Sequence, residues 1–119
     1  MSKIRKFKSG AVRDTEDNKL DYEGFISPVV IEEYAKYMHH HRKQSDGNLR
    51  DSDNWQKHFG EKHYDVCMKS LWRHFMDLWK EHRGIKSREG IEFAMMGILF
   101  NVMAYADKYY KDKMFVKQK

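Results

Sequence analysis

The sequence is poor in residues that break helices. It has 1 proline, Pro28, and 7 glycines in 119 residues. That is too few for the closely spaced turns of a sandwich or barrel built from short strands. The lone cysteine, Cys67, excludes an internal disulfide and suits a reducing compartment. No apolar run reaches the ~18 residues that a membrane-spanning helix needs. The opening Met1-Ser2-Lys3-Ile4-Arg5-Lys6 has no apolar segment behind it, unlike a secretory signal. The expected location is therefore the cytoplasm, with no membrane partner.

Aromatic residues and methionine are plentiful: 14% of the chain is Phe, Trp or Tyr, and there are 8 methionines. A chain of this length makes one domain, residues 1–119, with one core. The net charge of +5 is unevenly spread. Residues 1–8 carry +4 and residues 108–119 carry +4, which leaves −3 for the body between them. Basic ends of this kind serve solubility more often than nucleic-acid binding, so a nucleic-acid partner is not expected.

Residues 1–27 show no sustained period and read as an extended arm. Leu20, Tyr22, Phe25 and Ile26 are too apolar for a free tail, so the arm is expected to pack on a core. Ser27-Pro28 is a helix start: serine caps free N–H groups and proline fits the first helical position. The first helix is predicted over 28–42. His39, His40 and His41 follow one another at its end, but neighbours on a helix point about 100 degrees apart and cannot ligate one ion together. Residues 43–63, rich in Asp, Asn, Ser and Gly, read as a loop plugged into the core by Trp55.

The second helix is predicted over 64–83, with Met68, Leu71, Trp72, Phe75, Met76, Leu78 and Trp79 as its core face and Gly84 as its stop. His74, Asp77 and Glu81 share another face, within roughly 60 degrees of one another by the helical step. Two carboxylates and an imidazole in a row could hold a divalent cation; equally, they could be the solvated side of the helix. The third helix is predicted over 87–110, capped by Ser87, with a basic tail over 111–119. Its segment from Ile91 to Tyr105 is apolar on every side, as in a helix buried all round. Gly97, Asn101 and Ala104, with Ala94 beside them, form a stripe of small residues along which another backbone can come close. Glu92 and Asn101 are the strongly polar side chains of that segment, and a buried one needs a partner. Glu89 suits a helix N-terminus for dipole reasons alone. The fold class expected is all-α: a small bundle of three main helices with an irregular N-terminal arm packed on it.

The ordered set Arg13-Asp14-Thr15, Lys19, Asn54-Trp55, Arg73-His74, an acidic hairpin and Asn101 resembles a phage-associated family. Its members are described as the N-terminal domain of dATP/dGTP diphosphohydrolases and are related to MazG-like all-α nucleotide pyrophosphohydrolases. The resemblance covers about residues 9–110. It implies that acidic side chains from two packed helices bind magnesium, with manganese as the alternative. It implies hydrolysis of a nucleoside triphosphate, with a purine deoxynucleotide preferred, to monophosphate and pyrophosphate. Magnesium commonly takes one or two carboxylates together with substrate phosphates.

Carried onto this chain, the resemblance makes Asp77, Glu81, Glu89 and Glu92 the metal ligands, with Asp77, Glu81 and His74 the catalytic set. It gives Arg13 and Lys19 the triphosphate, and Asn54 and Trp55 the nucleotide pocket. Asn101 holds the helices or a ligand carboxylate in place. Such enzymes assemble as dimers or tetramers, so a homo-oligomer is implied too. The family pattern is not fully kept: Glu32-Glu33 is followed by Lys36 rather than a third acid. A non-catalytic module of phage origin that binds a nucleotide or a host protein on the same fold is the alternative, and its cytoplasm would then be the host's.

Overall fold

The computed structural model describes residues 4–14 and 18–116. The protein is mostly α-helical, with one two-stranded sheet and an isolated antiparallel bridge between Lys43 and Leu49 among the described residues. It divides into two compact units, Met1–Ile31 and Glu32–Lys119.

In the first unit, β1 (Ile4–Lys6) and β2 (Val12–Asp14) pair antiparallel, with Arg5 opposite Arg13. Gly10, at φ +89°, makes the reversal between them. The stretch read as irregular thus contains a small hairpin, too short for its period to show. A four-residue helix, α1 (Tyr22–Phe25), follows, capped by Asp21, whose Oδ1 accepts from Gly24 N at 2.8 Å. The next helix, α2 (Pro28–His40), starts as its sequence predicts: Ser27 Oγ accepts from Val30 N at 3.2 Å.

The second unit is organised by α3 (His63–His82) and α4 (Ile91–Val116), joined by a short link. Before them the chain makes a reversal at Gly47 and two 3-10 turns, Asn54–Lys57 and Gly60–Lys62. The helix α4 starts later than predicted because Gly90 has φ +85°, which no helix contains. Ser87 Oγ accepts from Gly90 N at 2.9 Å and so caps the link rather than a helix begun at 87. The far end of α4 runs past Tyr110, where nothing interrupts it. Lys108 pairs with Asp112 at 2.7 Å and Lys111 with Asp107 at 3.0 Å, both at i,i+4 spacing.

The two helices meet along a seam with alternating steps of four and three, the spacing that keeps one stripe on one face. On α3 the stripe is His63, Cys67, Ser70, His74, Asp77 and Glu81; on α4 it is Ala94, Gly97, Asn101, Ala104 and Lys108. The small side chains of α4 let α3 approach, as their stripe suggests. Asn101 Nδ2 donates to Ser70 Oγ at 3.2 Å across the seam and to Gly97 O at 2.7 Å along its own helix. Fully buried His63 accepts from Phe59 N at Nδ1, 3.0 Å away, which leaves its Nε2–H to donate to Ala104 O at 2.8 Å. Cys67 lies beside it, and burial pushes its thiol up from the ordinary value.

Two expectations fail here. The aromatic face of α3 is not the core: Trp72 is 58% exposed, and Met68, Phe75, Met76 and Trp79 are exposed as well. Nor is α4 buried all round, since Phe93, Met95, Val102 and Met103 are exposed. The cause is that α4 packs along one stripe, so only its small residues are covered. In this hairpin the polar and small residues face inward and much of the apolar surface faces out.

Candidate functional site

The polar end of the seam gathers charged and titratable side chains. Four of its side chains converge from α3 and the link. Asp77, on α3, is 2% exposed. Arg88, in the link, donates to Asp77 Oδ2 from Nε at 2.8 Å and approaches the same oxygen with Nη2 at 2.7 Å. Glu89, the next residue, turns back to α3, where its Oε1 lies 2.5 Å from His74 Nδ1. Glu89 reaches His74 because it precedes α4; inside a continuous helix from 87 its direction would be set by the helical step instead.

His74, Asp77 and Glu89 each offer one ligand atom, and these atoms lie within 4.8 Å of one another. The Arg88 guanidinium holds the Asp77 carboxyl below its usual range, against the opposing effect of burial. Two carboxylates therefore share one guanidinium and an imidazole. Oxygen donors held this close, partly shielded from water, suit a divalent cation. His74 and Asp77 are not a solvated face.

Glu81 and Glu92 do not join this group. Glu81 Oε1 accepts from Ser87 N at 3.1 Å and from Ser87 Oγ at 2.9 Å, fixing the link against α3. Glu92 is exposed in the first turn of α4, where its charge meets water. Of the four acids expected as ligands, Asp77 and Glu89 come together. Asn101 lies in the seam and ties α4 to Ser70. Arg13 lies on β2 and Lys19 in the turn before α1, both exposed and both in the unit Met1–Ile31.

A cavity of about 450 Å³ opens in the second unit, within the size range of small-molecule sites. Tyr37, Trp55, Phe59 and Phe100 give it aromatic walls. Trp55 meets Phe100 edge-on at 6.4 Å. Arg42, Arg50, Ser52 and Asn54 supply polar groups, and Asp51 a carboxylate. The arginines are braced by the loop they belong to: Arg42 Nε donates to Arg50 O at 2.7 Å and Arg50 Nη1 to His41 O at 3.1 Å. Each guanidinium has five N–H groups, so donors remain for an anionic ligand. Asn54 and Trp55, expected in a nucleotide pocket, both line this cavity.

Tyr37 is the buried wall of the cavity. Its phenol is pushed up by burial and then by the nearby Glu89 charge. Its ring meets Phe93 edge-on at 5.6 Å. Neighbouring Tyr34 has a buried hydroxyl with no hydrogen-bond partner among the described residues, and burial raises it to about 12.

Sequence reasoning missed Arg88, Tyr37, Arg42 and Arg50. The three-four spacing of His63, Cys67, Ser70, His74, Asp77 and Glu81 was a usable signal, hidden because a buried seam is usually sought among apolar residues. Nothing in the sequence marks Arg88 apart from its place beside Glu89.

Compared with family models, with curated proteins and with solved structures, the chain matches none. Among the described residues, no helix is long and apolar enough to cross a membrane.

Proposed function

We propose that this protein hydrolyses nucleoside triphosphates, with a purine deoxynucleotide preferred, to monophosphate and pyrophosphate in a reaction that depends on magnesium or manganese. The observation that carries the reading is the convergence of His74, Asp77 and Glu89 within 4.8 Å in a unit that also holds an aromatic cavity lined by two arginines. It agrees with the resemblance to dATP/dGTP diphosphohydrolases and MazG-like enzymes.

Each group has a role that its place allows. Asp77 and Glu89 are the residues that would hold the cation, which supplies charge neutralisation on the phosphates and an acidified water. His74 is a positioning residue, fixing the Glu89 carboxylate through its ring nitrogen. Trp55 and Phe100 offer faces and edges to a base, and Asn54 offers an amide that can both donate and accept. Arg42 and Arg50 direct their remaining N–H groups to phosphate oxygens.

The reading includes a homo-oligomer, a dimer or tetramer. The exposed Trp72, Phe75 and Trp79 of α3 and the exposed Val102 and Met103 of α4 support it, because apolar area of this kind gains from being covered. The location proposed is cytoplasmic, the host's if the chain is phage-encoded.

A second reading has its own support. Arg88 already satisfies the Asp77 carboxylate, which suits a module that binds a nucleotide or a host protein without turning anything over. Turnover of triphosphates with and without added Mg2+ or Mn2+, for the wild type and Glu89→Gln, separates the two readings. The enzyme gives monophosphate and pyrophosphate that vanish without the metal or Glu89; the binding module gives neither product.

A further inference from the structure

Arg88 stands where a cation would be expected. Its Nε and Nη2 both lie on Asp77 Oδ2, and Nη2 is 3.9 Å from Glu89 Oε1. The burial of the two partners is lopsided: the Asp77 side chain is 3% exposed and that of Arg88 is 56% exposed. The guanidinium therefore reaches the buried carboxylate from the solvent side. Its backbone is fixed on either side, by Ser87 bonded to Glu81 and by the turn at Gly90. A long side chain on a fixed link can leave without moving a helix.

Resting on the reading that Asp77 and Glu89 hold a metal, we propose that Arg88 is a displaceable internal counter-ion that competes with the divalent cation for Asp77 and so sets the cation concentration at which the site fills. One guanidinium beside two carboxylates offsets enough charge to keep the empty site folded. It does not offset both, so a doubly charged cation has a remaining advantage. The cation binds only the fraction of molecules in which Arg88 has left Asp77, and its apparent affinity falls by that fraction. Once released, a guanidinium on the solvent side is suited to paired hydrogen bonds with phosphate oxygens. The residue then passes from a carboxylate to a ligand anion as the site fills.

The test is Mn2+ binding to the full chain without nucleotide, followed by the spin-resonance signal of free Mn2+ and by calorimetry. The proteins are the wild type, Arg88→Gln, Arg88→Lys and Asp77→Asn. The proposal expects Arg88→Gln to bind Mn2+ about tenfold more tightly than wild type, Arg88→Lys to stay near wild type, and Asp77→Asn to lose binding. Equal or weaker binding by Arg88→Gln, with Asp77→Asn still losing it, overturns the role of Arg88 and leaves the metal reading standing. Absence of binding in both wild type and Arg88→Gln overturns the metal reading and the proposal with it. Thermal melts guard against poor folding of the variant. Excess Mn2+ should raise the melting temperature of Arg88→Gln more than that of wild type, and an equal rise in both contradicts the proposal.

Discussion

The imidazole of His74 lies over the Cα of Gly97. A Cβ built on Gly97 would sit 2.6 Å from Cγ, Nδ1 and Cε1 of that ring, closer than carbon atoms pack. The smallest residue of α4 thus seats the ring that fixes Glu89. Gly97→Ala should push the imidazole away and loosen its 2.5 Å contact with Glu89. Overpacking of this kind costs about 1–3 kcal/mol, against a gain of about 1 kcal/mol from replacing glycine inside a helix. Denaturant unfolding should show a net loss of stability. A variant more stable than wild type would mean that the ring moves freely and does not position Glu89.

The Asp77 carboxyl is held below its ordinary value by Arg88. A depressed carboxylate favours folding when charged, so its contribution is complete above the unfolded value of about 4 and is lost as pH falls through its lower folded value. Asp107 is also depressed, by its bonds to His58 and Lys111 outweighing burial, and Asp112 by Lys108. The wild-type acid limb therefore sums several groups, and the difference between wild type and Arg88→Gln isolates Asp77. In melting temperature against pH, the variant should lie below wild type near neutrality and lose less as pH falls below about 4, so that the gap between the two curves closes in acid. Curves that stay parallel through the acid range would deny the coupling.

Trp72, Phe75 and Trp79 form a ladder on the outside of α3: Trp72 meets Phe75 at right angles at 5.8 Å, and Phe75 stacks towards Trp79 at 6.3 Å. Charge placed there should not disturb the seam, which lies on the other side of the helix. Trp72→Glu with Phe75→Glu should give a monomer with its helical signal kept, where wild type sediments as a dimer or tetramer. A monomeric wild type would remove self-association from the account.

Trp55 is the aromatic wall of the cavity that comes from the loop. Stacking of a base on an aromatic side chain is worth about 1–3 kcal/mol, so Trp55→Ala should weaken binding of a non-hydrolysable deoxynucleoside triphosphate by that amount. Equilibrium dialysis measures it. Unchanged affinity would place the base elsewhere.

The helices and the stripe of small residues were legible in the sequence. Ser27-Pro28 begins α2, and Gly97, Asn101 and Ala104 mark where α3 comes close. The facing of α3 was not legible. Periodicity shows that Met68, Trp72, Phe75, Met76 and Trp79 share a face, but it cannot say whether that face meets this chain or something else. The start of α4 was misplaced because a glycine reads the same at positive and negative φ, and that one torsion at Gly90 decides where Glu89 points. His74, Asp77 and Glu89 were legible as candidates. Glu81 and Glu92 had equal claims by residue type, and what separates them is the bond from Glu81 to Ser87 and the exposure of Glu92. Arg42 and Arg50 sit eight residues apart in a loop with no period, so only the folded chain brings them to one cavity.

The most direct measurement is turnover by the purified full chain with Mg2+ or Mn2+ across a panel of ribo- and deoxynucleoside triphosphates, with products separated by ion exchange. The account predicts monophosphate and pyrophosphate in equal amounts, fastest with a purine deoxynucleotide, absent under chelation and abolished by Asp77→Asn or Glu89→Gln. Product formation that persists in chelator, or in both variants, would contradict it. So would the absence of product from every nucleotide with either metal.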